Sequence, residues 1–212
     1  MASSRKPRSL PPSVVKRLTK YLSHVQGLCG DGVRWVSSHD LAQTLGLTSS
    51  TVRQDLSHVD FSGISKRGYE SEGLRRVLSG VLGADRTWKL VVVGAGNLGQ
   101  ALSLHEEFHR RGFDIIGVFD SDPGKVGRKI GQLVVQSMRD LPREVAGRRV
   151  DIGLIAVPAL AAQSVADLLI MSGARGILNL TLAHITTPRR IPVIDTRIVA
   201  SLLELTHAIK QR

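Results

Sequence analysis

The residues best suited to chemistry in this sequence form a glycine pattern directly after an apolar run. Residues 90–93 are apolar and mostly β-branched, and they lead into the G-x-G-x-x-G pattern Gly94-Ala95-Gly96-Asn97-Leu98-Gly99. A helical pattern follows over residues 97–111, and a second apolar strand over residues 113–119 ends at Asp120. Because the glycines stand between a strand and a helix, the pattern predicts a dinucleotide site.

Each part of the pattern has its own task at a phosphate. Gly94 permits the tight turn, Gly96 lets the backbone approach a pyrophosphate, and Gly99 lets the helix pack closely on the strand. The N–H groups at the start of the helix favour the phosphate anions. Asp120 is placed to accept hydrogen bonds from the adenosine ribose, which favours NAD(H) over a 2′-phosphorylated cofactor. The alternative is a tight turn that holds no ligand.

Composition sets the broad class of the protein. The 212 residues suffice for one large domain or two small ones. No apolar run nears the roughly 20 residues that span a bilayer, and the N-terminus lacks the apolar region of a signal peptide. We therefore expect a cytoplasmic protein without a membrane partner. The lone Cys29 excludes an internal disulfide and a cysteine-based zinc cluster, and no other spacing suits a metal.

The charge is strongly basic and concentrated at the N-terminus. A formal net charge of +11 indicates a polyanionic partner. The first 20 residues contain no acidic residue, and their basic residues are Arg5, Lys6, Arg8, Lys16, Arg17 and Lys20. We expect this arm, with Arg8 and Arg17, to contact DNA phosphates. A solvated tail is the alternative.

Two short helices are predicted after a first amphipathic helix that begins near Pro12. Ser37 or Ser38 can cap the first of them, Gly46 supplies the turn, and Thr48 or Ser49 can cap the second. This arrangement describes a helix-turn-helix, although an ordinary α-hairpin has the same pattern. The exposed face of the second helix offers side chains that read grooves or bind phosphates, namely Ser49, Ser50, Arg53 and Gln54.

A glycine-rich basic stretch over residues 61–70 follows the second short helix. Gly63 and Gly68 bracket Lys66 and Arg67 there. A basic β-turn in this position suits the wing of a winged-helix domain, in which both cations would grip DNA. A further amphipathic helix ends at Gly83, and we place the domains at residues 1–85, 86–196 and 197–212.

The pattern after Asp120 stays α/β. We predict helices over residues 142–146 and 159–172, and strands over 150–157, 176–180 and 193–194. The last helix, residues 198–210, has so wide an apolar stripe that either its own sheet or a second subunit must cover it. His105 and His109 do not match the H-E-x-x-H zinc pattern, and no catalytic group is recognisable. We therefore do not expect an enzyme.

The order of these parts resembles the Rex family of bacterial redox-sensing transcriptional repressors. The resemblance covers about residues 10–212. The matching segments are Ser37-Ser38…Leu41-Ala42, Val52-Arg53…Asp55-Leu56-Ser57, Gly68-Tyr69, Val93-Gly94-x-Gly96-x-Leu98-Gly99, Phe119-Asp120-x-Asp122-Pro123-x-Lys125-x-Gly127, Val157-Pro158 and Gly176-Ile177-Leu178-Asn179.

The resemblance implies an α/β protein in which a winged-helix DNA-binding domain precedes a Rossmann-type NAD(H)-binding domain and a C-terminal helix exchanged between subunits. It implies a homodimer that binds a palindromic double-stranded operator and releases it when NADH accumulates, with NADH and NAD⁺ as cofactors. The resemblance also implies cofactor contacts from the six residues 94–99, which we call the glycine loop. Further contacts are implied from Asp120, Ser121, Lys125, Val157, Pro158 and Asn179.

The sequence departs from the family pattern at several positions. The departures are Gln54, Val59-Asp60-Phe61, His105, Leu180-Thr181-Leu182 and Arg197. Those from His105 onward fall near the expected nicotinamide end of the site. Two other classes of protein stay open: a small NAD-dependent oxidoreductase, and a regulatory subunit that binds nucleotides or CoA without redox discrimination.

Overall fold

The computed structural model describes residues 10–211, so the predicted phosphate contact of Arg8 lies outside the described residues. Residue contacts divide the chain into two compact units that meet between Arg86 and Thr87. Each unit has a hydrophobic core of its own.

The first unit is mostly helical. Its elements are α1 (Pro12–Gly30), β1 (Trp35–Val36), α2 (Ser38–Leu45), α3 (Ser49–Leu56), β2 (Tyr69–Glu70) and α4 (Ser71–Leu82). α1 buries one stripe at helical spacing, formed by Val14, Leu18, Tyr21, Leu22 and Val25. Leu41, Val52, Leu74 and Leu78 from the other three helices pack into the same core.

The ends of α2 and α3 follow from their capping residues. The Ser37 hydroxyl accepts a hydrogen bond from the Asp40 N–H, and the Asp40 carboxylate accepts one from the Ser37 N–H. Gly46 ends α2 in the left-handed conformation at φ +64°. Thr48 then caps α3 by accepting from the Thr51 N–H. The predicted pair of short helices with a glycine turn is therefore present.

The second unit is a seven-stranded sheet with helices. Its elements are β3 (Trp88–Val93), α5 (Asn97–Ser103), α6 (Glu106–Arg110), β4 (Phe113–Asp120), β5 (Lys129–Ile130), β6 (Leu133–Ser137), α7 (Leu141–Arg148), β7 (Ile152–Ile155), a 3₁₀ turn (Ala159–Ala161), α8 (Ala162–Met171), β8 (Gly176–Asn179), β9 (Val193–Asp195) and α9 (Ile198–Lys210).

The strand order identifies a Rossmann-type sheet. The order is β5-β6-β4-β3-β7-β8-β9, and every pair from β6 to β9 is parallel. Without the antiparallel edge strand β5, the order of parallel strands is 3-2-1-4-5-6. The order therefore reverses between β3 and β7, which is where such sheets bind ligands.

Several predicted elements need correction. The helix expected over residues 97–111 is two helices, because His105 is extended (φ −81°, ψ 102°) and separates α5 from α6. The predicted strand over residues 150–157 is paired at Ile152–Ile155, and the helix predicted over residues 159–172 begins with a 3₁₀ turn. The hairpin of β5 and β6 and the short strand β1 were not predicted. The described residues contain no helix long and apolar enough to cross a membrane.

Candidate dinucleotide and DNA sites

The glycine loop lies where the strand order reverses. It joins β3 to α5, and its Gly94 N–H donates to the Phe119 carbonyl at 2.8 Å. On the other side of β3, the Ala156 N–H donates to the Val93 carbonyl at 2.8 Å, which brings the segment after β7 beside the loop. The loop therefore lies in the crevice at the carboxyl ends of the two strands, as a dinucleotide requires.

The surroundings of the three glycines differ in the way that a pyrophosphate site needs. A Cβ on Gly94, whose φ is +106°, would lie 2.3 Å from the Ala156 carbonyl oxygen. A Cβ on Gly99 would lie 1.8 Å from the Gly94 carbonyl oxygen, so α5 packs directly on the loop. A Cβ on Gly96 would meet no atom within 4 Å. The open side of Gly96 is thus the place where a phosphate group could approach the backbone.

Asp120 ends β4 beside this loop and is almost fully buried. Its Oδ2 accepts from the Ala95 N–H at 2.7 Å and from the Lys125 Nζ at 3.1 Å. Its Oδ1 accepts from the Asp122 N–H at 2.8 Å. Of roughly four acceptor positions on a carboxylate, three are therefore filled from within the protein. About one remains for a ribose hydroxyl.

The protonation state of Asp120 follows from these bonds. Burial raises the pKa of its carboxyl group, but the N–H donors of Asp122 and Ala95 and the Lys125 ammonium outweigh burial and lower the pKa below its ordinary value. Asp120 is therefore an anion at neutral pH. It can accept a bond from a ribose 2′-hydroxyl, and its charge would repel a 2′-phosphate.

Replacement of Asp120 by alanine is expected to weaken NADH binding by at least about tenfold, which corresponds to 1.4 kcal/mol. The affinity should fall for two reasons. The ribose loses its contact with the carboxylate, and the Ala95 N–H loses the acceptor that fixes the glycine loop. Calorimetric titration with NADH measures the effect, and circular dichroism checks the fold. Unchanged affinity in a folded variant would show that Asp120 does not bind the ribose.

The other predicted cofactor residues lie at the carboxyl ends of three strands of the sheet. Ser121, Val157 and Pro158 lie at the carboxyl ends of β4 and β7, and a Val157 Cγ lies 3.2 Å from the position of a Gly94 Cβ. Asn179 requires a correction. Its amide already makes four hydrogen bonds: it donates to the Ala183 carbonyl and to Asp195, and it accepts from the N–H and the hydroxyl of Thr181. An amide has about that capacity, so the side chain has no bond left for a cofactor.

The exposed face of α3 carries the side chains predicted to read DNA. Val52 and Leu56 are buried on the opposite face, which leaves Ser50, Arg53 and Gln54 exposed and Ser49 half-buried. The Arg53 guanidinium donates to the Ser38 hydroxyl at 3.2 Å. This bond orients Arg53 from the start of α2 and leaves most of its donors for a DNA groove.

Arg17 has a structural role that the sequence did not indicate. Its Nε and Nη2 donate to the Asp55 carboxylate at 2.6 Å and 2.7 Å, and the Tyr21 hydroxyl donates to the same group at 2.7 Å. Asp55 is 2% exposed. Arg17 therefore ties α1 to α3 inside the unit, and its predicted phosphate contact, which stays a prediction, would use the guanidinium donors that Asp55 does not bind.

The predicted wing is a tight turn. Ile64 and Gly68 form an antiparallel bridge, Lys66 occupies the left-handed region at φ +61°, and both Lys66 and Arg67 are exposed. The Arg67 guanidinium lies 4.3 Å from the centre of the Trp35 ring. Sequence reasoning missed Trp35, because the short strand β1 has no recognisable period, yet this aromatic ring holds one cation of the turn in place.

The folds and sites together define a two-part regulator, a winged-helix unit followed by a dinucleotide-binding unit. The sequence model described as "Putative DNA-binding protein N-terminus" matches residues 9–57, and the one described as "CoA binding domain" matches residues 85–183. The chain is 37% identical to the redox-sensing transcriptional repressor Rex of Caldicellulosiruptor bescii, over 98% of this chain and 95% of that protein. It is 41% identical to Rex 1 of Thermotoga maritima, over 96% and 97% of the two chains.

Solved structures agree with this assignment over both units. The crystal structure of RSP in complex with NAD⁺ and operator DNA matches with a TM-score of 0.91 at 30% identity, over 96% of this chain and 94% of that one. RSP in complex with NADH matches with a TM-score of 0.88 at 30% identity, over 96% of each chain. The chain belongs to the Rex family of redox-sensing transcriptional repressors.

The family assignment confirms the main predictions from sequence. The resemblance to Rex, the winged-helix and Rossmann-type fold and the role as a regulator are all confirmed, and the oxidoreductase alternative is set aside because the relatives are transcriptional repressors. The other individual site residues and the dimer stay predictions. Among residues 10–211, no group of three or more potential ligands could hold a metal ion.

Proposed function

We propose that this protein is a homodimeric repressor that binds a palindromic operator and releases it when NADH occupies the glycine loop. The observation that carries the proposal is the loop itself, with an open approach at Gly96 and an anionic Asp120 beside it. Its relative RSP has been crystallised with NADH and with NAD⁺ plus operator DNA. The residues present fit a dinucleotide, and we assign the pyrophosphate to residues 94–99 and the adenosine ribose to Asp120.

Redox discrimination would come from the charge of the nicotinamide ring. NAD⁺ carries a positive charge on this ring and NADH does not, so a dry apolar pocket penalises the oxidised form. The expected nicotinamide end follows β8, where Leu180 is half-buried and Thr181 buried. A ligand shifts an equilibrium between DNA-binding and released states only by its difference in affinity for the two. NADH must therefore bind the released state more tightly.

A dimer is supported by the C-terminal helix. Within α9 every side chain is exposed in the single chain, and its exposed apolar residues are Ile198, Val199, Leu202, Leu203, Leu205 and Ile209. An apolar stripe of this size is a surface that a partner normally covers. Its own sheet does not cover it, which favours the second subunit among the two alternatives left open by the sequence.

A groove in the second unit could receive such a helix. It has a volume of about 840 Å³, and its apolar lining includes Trp88, Leu90, Phe113, Ile152 and Ile194. Trp88, Phe113 and Ile152 begin their strands, so the groove lies away from the carboxyl ends that carry the glycine loop. We assign the groove to the exchanged α9 of a second copy and not to the cofactor.

The operator would be read by α3 and the wing. We assign groove and phosphate contacts to Ser49, Ser50, Arg53 and Gln54 on α3, and to Lys66 and Arg67 on the turn, together with Arg8 of the arm. Two copies of α3 in a dimer would meet successive major grooves about 34–36 Å apart. A change in this spacing would release the operator.

Replacement of Arg53 by alanine is expected to weaken specific DNA binding by about 5- to 150-fold, the range for a lost groove contact of 1–3 kcal/mol. Fluorescence anisotropy with a duplex selected by the protein from a random library measures the effect. NADH affinity should stay unchanged in the same variant. Arg76, exposed on α4, provides the matched control, because Arg76→Ala removes the same charge away from α3. Equal losses for both variants would contradict a reading role for Arg53.

The experiment that tests the proposed function is calorimetric titration with NADH, NAD⁺ and ADP. We expect NADH to bind at least about tenfold more tightly than NAD⁺, a difference of 1.4 kcal/mol. Equal binding of all three would contradict redox sensing and indicate an adenine-nucleotide-responsive DNA binder. Coenzyme A is a fourth ligand in the series, since the second unit matches a CoA-binding model; preference for it would favour the regulatory-subunit alternative.

A further inference from the structure

Asn179 connects two segments that leave the same edge of the sheet. It is the last residue of β8 and fully buried. On one side its Oδ1 accepts from the Thr181 N–H at 3.0 Å and from the Thr181 hydroxyl at 2.8 Å, and its Nδ2 donates to the Ala183 carbonyl at 2.9 Å. These three bonds fix the loop that follows β8.

On the other side Asn179 fixes the corner between β9 and α9. Its Nδ2 donates to the Asp195 carboxylate at 2.7 Å, and its backbone carbonyl accepts from the Thr196 N–H at 2.9 Å. The second oxygen of Asp195 accepts from Arg197 at 3.3 Å, and Arg197 immediately precedes α9. Two residues, Thr196 and Arg197, are all that separate β9 from the helix.

We propose that Asn179 is a positioning residue that couples the loop after β8 to the direction in which α9 leaves the sheet. The loop lies at the carboxyl end of a strand, where ligands of such sheets bind, and α9 is the helix we assign to the dimer. A ligand that moves Thr181 must strain or break bonds of Asn179, because all four bonding positions of the amide are in use. The same residue then carries the change to Asp195 and the α9 corner.

The inference rests on the proposed function, since it needs a dimer formed through α9 and a cofactor at this edge of the sheet. It adds a structural connection between the cofactor site and the helix that forms the dimer. Buried, fully satisfied polar groups have few alternative arrangements, because each broken bond leaves a desolvated group unpaired. Asn179 and Thr181 are buried in this way, so a displacement of Thr181 is passed through Asn179 to Asp195, whose own side chain is partly exposed.

The test exchanges the amide and the carboxylate between positions 179 and 195. Asn179→Asp keeps the shape of the side chain but places a carboxylate 2.7 Å from Asp195, and like charges at this distance repel. We expect this variant to weaken both the dimer and NADH binding by about tenfold, within the range typical of coupled sites. Sedimentation equilibrium measures the first and calorimetry the second. The double variant Asn179→Asp/Asp195→Asn restores an amide–carboxylate pair at the α9 corner but not the donor to the Ala183 carbonyl, so it should recover most of the dimer affinity and only part of the NADH affinity.

Two further variants distinguish the coupling from a general loss of stability. Asp195→Ala changes an exposed residue and cuts only the α9 side of the network, so it should still lower NADH affinity. Val145→Ala shortens a buried side chain on α7, outside the hydrogen-bond network of Asn179; it should lower the unfolding temperature while leaving the dimer and NADH affinity unchanged.

The outcomes separate the coupling from the proposed function. The coupling is overturned if the wild type is a dimer that binds NADH but Asp195→Ala leaves NADH affinity unchanged. It is also overturned if the double variant forms the dimer no better than Asn179→Asp does. A wild type that is monomeric or fails to bind NADH would overturn the proposed function and the coupling together.

Discussion

Replacement of Gly99 by alanine is expected to abolish NADH binding and to destabilise the second unit. The new Cβ would lie 1.8 Å from the Gly94 carbonyl oxygen and 3.0 Å from its carbon. Both partners are backbone atoms, so neither can move away as a flexible side chain could. Ordinary overpacking of a core costs about 1–3 kcal/mol, and we expect this overlap to exceed that range. Thermal unfolding and calorimetric titration with NADH measure the two effects.

Gly96 and Gly147 provide matched controls for this result. A Cβ at Gly96 meets no protein atom within 4 Å, so Gly96→Ala should unfold at the wild-type temperature but bind NADH at least about tenfold more weakly, a loss of 1.4 kcal/mol. Gly147 on α7 also has space for a Cβ, and Gly147→Ala should leave NADH affinity unchanged and raise the unfolding temperature slightly, because alanine favours a helix more than glycine does. Wild-type NADH affinity in Gly96→Ala would show that no phosphate approaches the loop at this position.

Replacement of Asp55 by alanine is expected to unfold the first unit at a markedly lower temperature. The change leaves the half-buried Arg17 guanidinium without its carboxylate and the buried Tyr21 hydroxyl without its acceptor. Loss of the acceptor of a buried hydroxyl costs about 1–3 kcal/mol, and the loss of the carboxylate that Arg17 binds adds to this. For a domain of this size, the unfolding temperature should fall by about 10 °C or more. Differential scanning calorimetry measures the shift.

An exposed ion pair on the same unit provides the control for Asp55. Glu72 pairs with Arg75 three residues along α4, and both side chains are partly open to solvent. Exposed pairs of this kind contribute little to stability, so Glu72→Ala should change the unfolding temperature only slightly. Equal effects of the two substitutions would contradict the structural role of Asp55.

The pH dependence of stability gives an independent check on Asp55. Burial raises the pKa of its carboxyl group, but hydrogen bonds from Arg17 and Tyr21 outweigh burial and lower the pKa below its ordinary value. A group with a lowered pKa in the folded state stabilises the protein above its unfolded pKa, which is about 3.9, and this contribution is lost as the pH falls through the folded pKa. Asp55→Ala should therefore flatten the loss of stability below about pH 4.

Local patterns were sufficient to predict most elements near the site. The glycine loop, the strand that ends at Asp120 and the caps at Ser37 and Thr48 depend on neighbouring residues, and the sequence displays those neighbours directly. The hairpin of β5 and β6 was missed although its signal was present, since Gly131 at φ +58° begins a two-residue turn. The break at His105 had no such signal in the helical pattern.

The roles of single polar side chains could not be predicted in the same way. Arg17 was assigned to phosphates because it lies in a basic segment, but its partner Asp55 is 38 residues away. Asn179 was assigned to the cofactor by resemblance, and the bonds that occupy it come from Thr181, Ala183 and Asp195. A hydrogen-bonding capacity can be counted only after the fold has brought its partners together.

The central claim is that NADH, and not NAD⁺, releases this protein from DNA. Its most direct test is anisotropy of a labelled palindromic duplex, selected by the protein from a random library, titrated at fixed salt in the presence of each nucleotide. Salt must be held constant because phosphate contacts make the affinity strongly dependent on it. We predict that NADH weakens DNA binding at least about tenfold, or 1.4 kcal/mol, while NAD⁺ preserves it. Equal binding with both nucleotides would contradict a redox sensor.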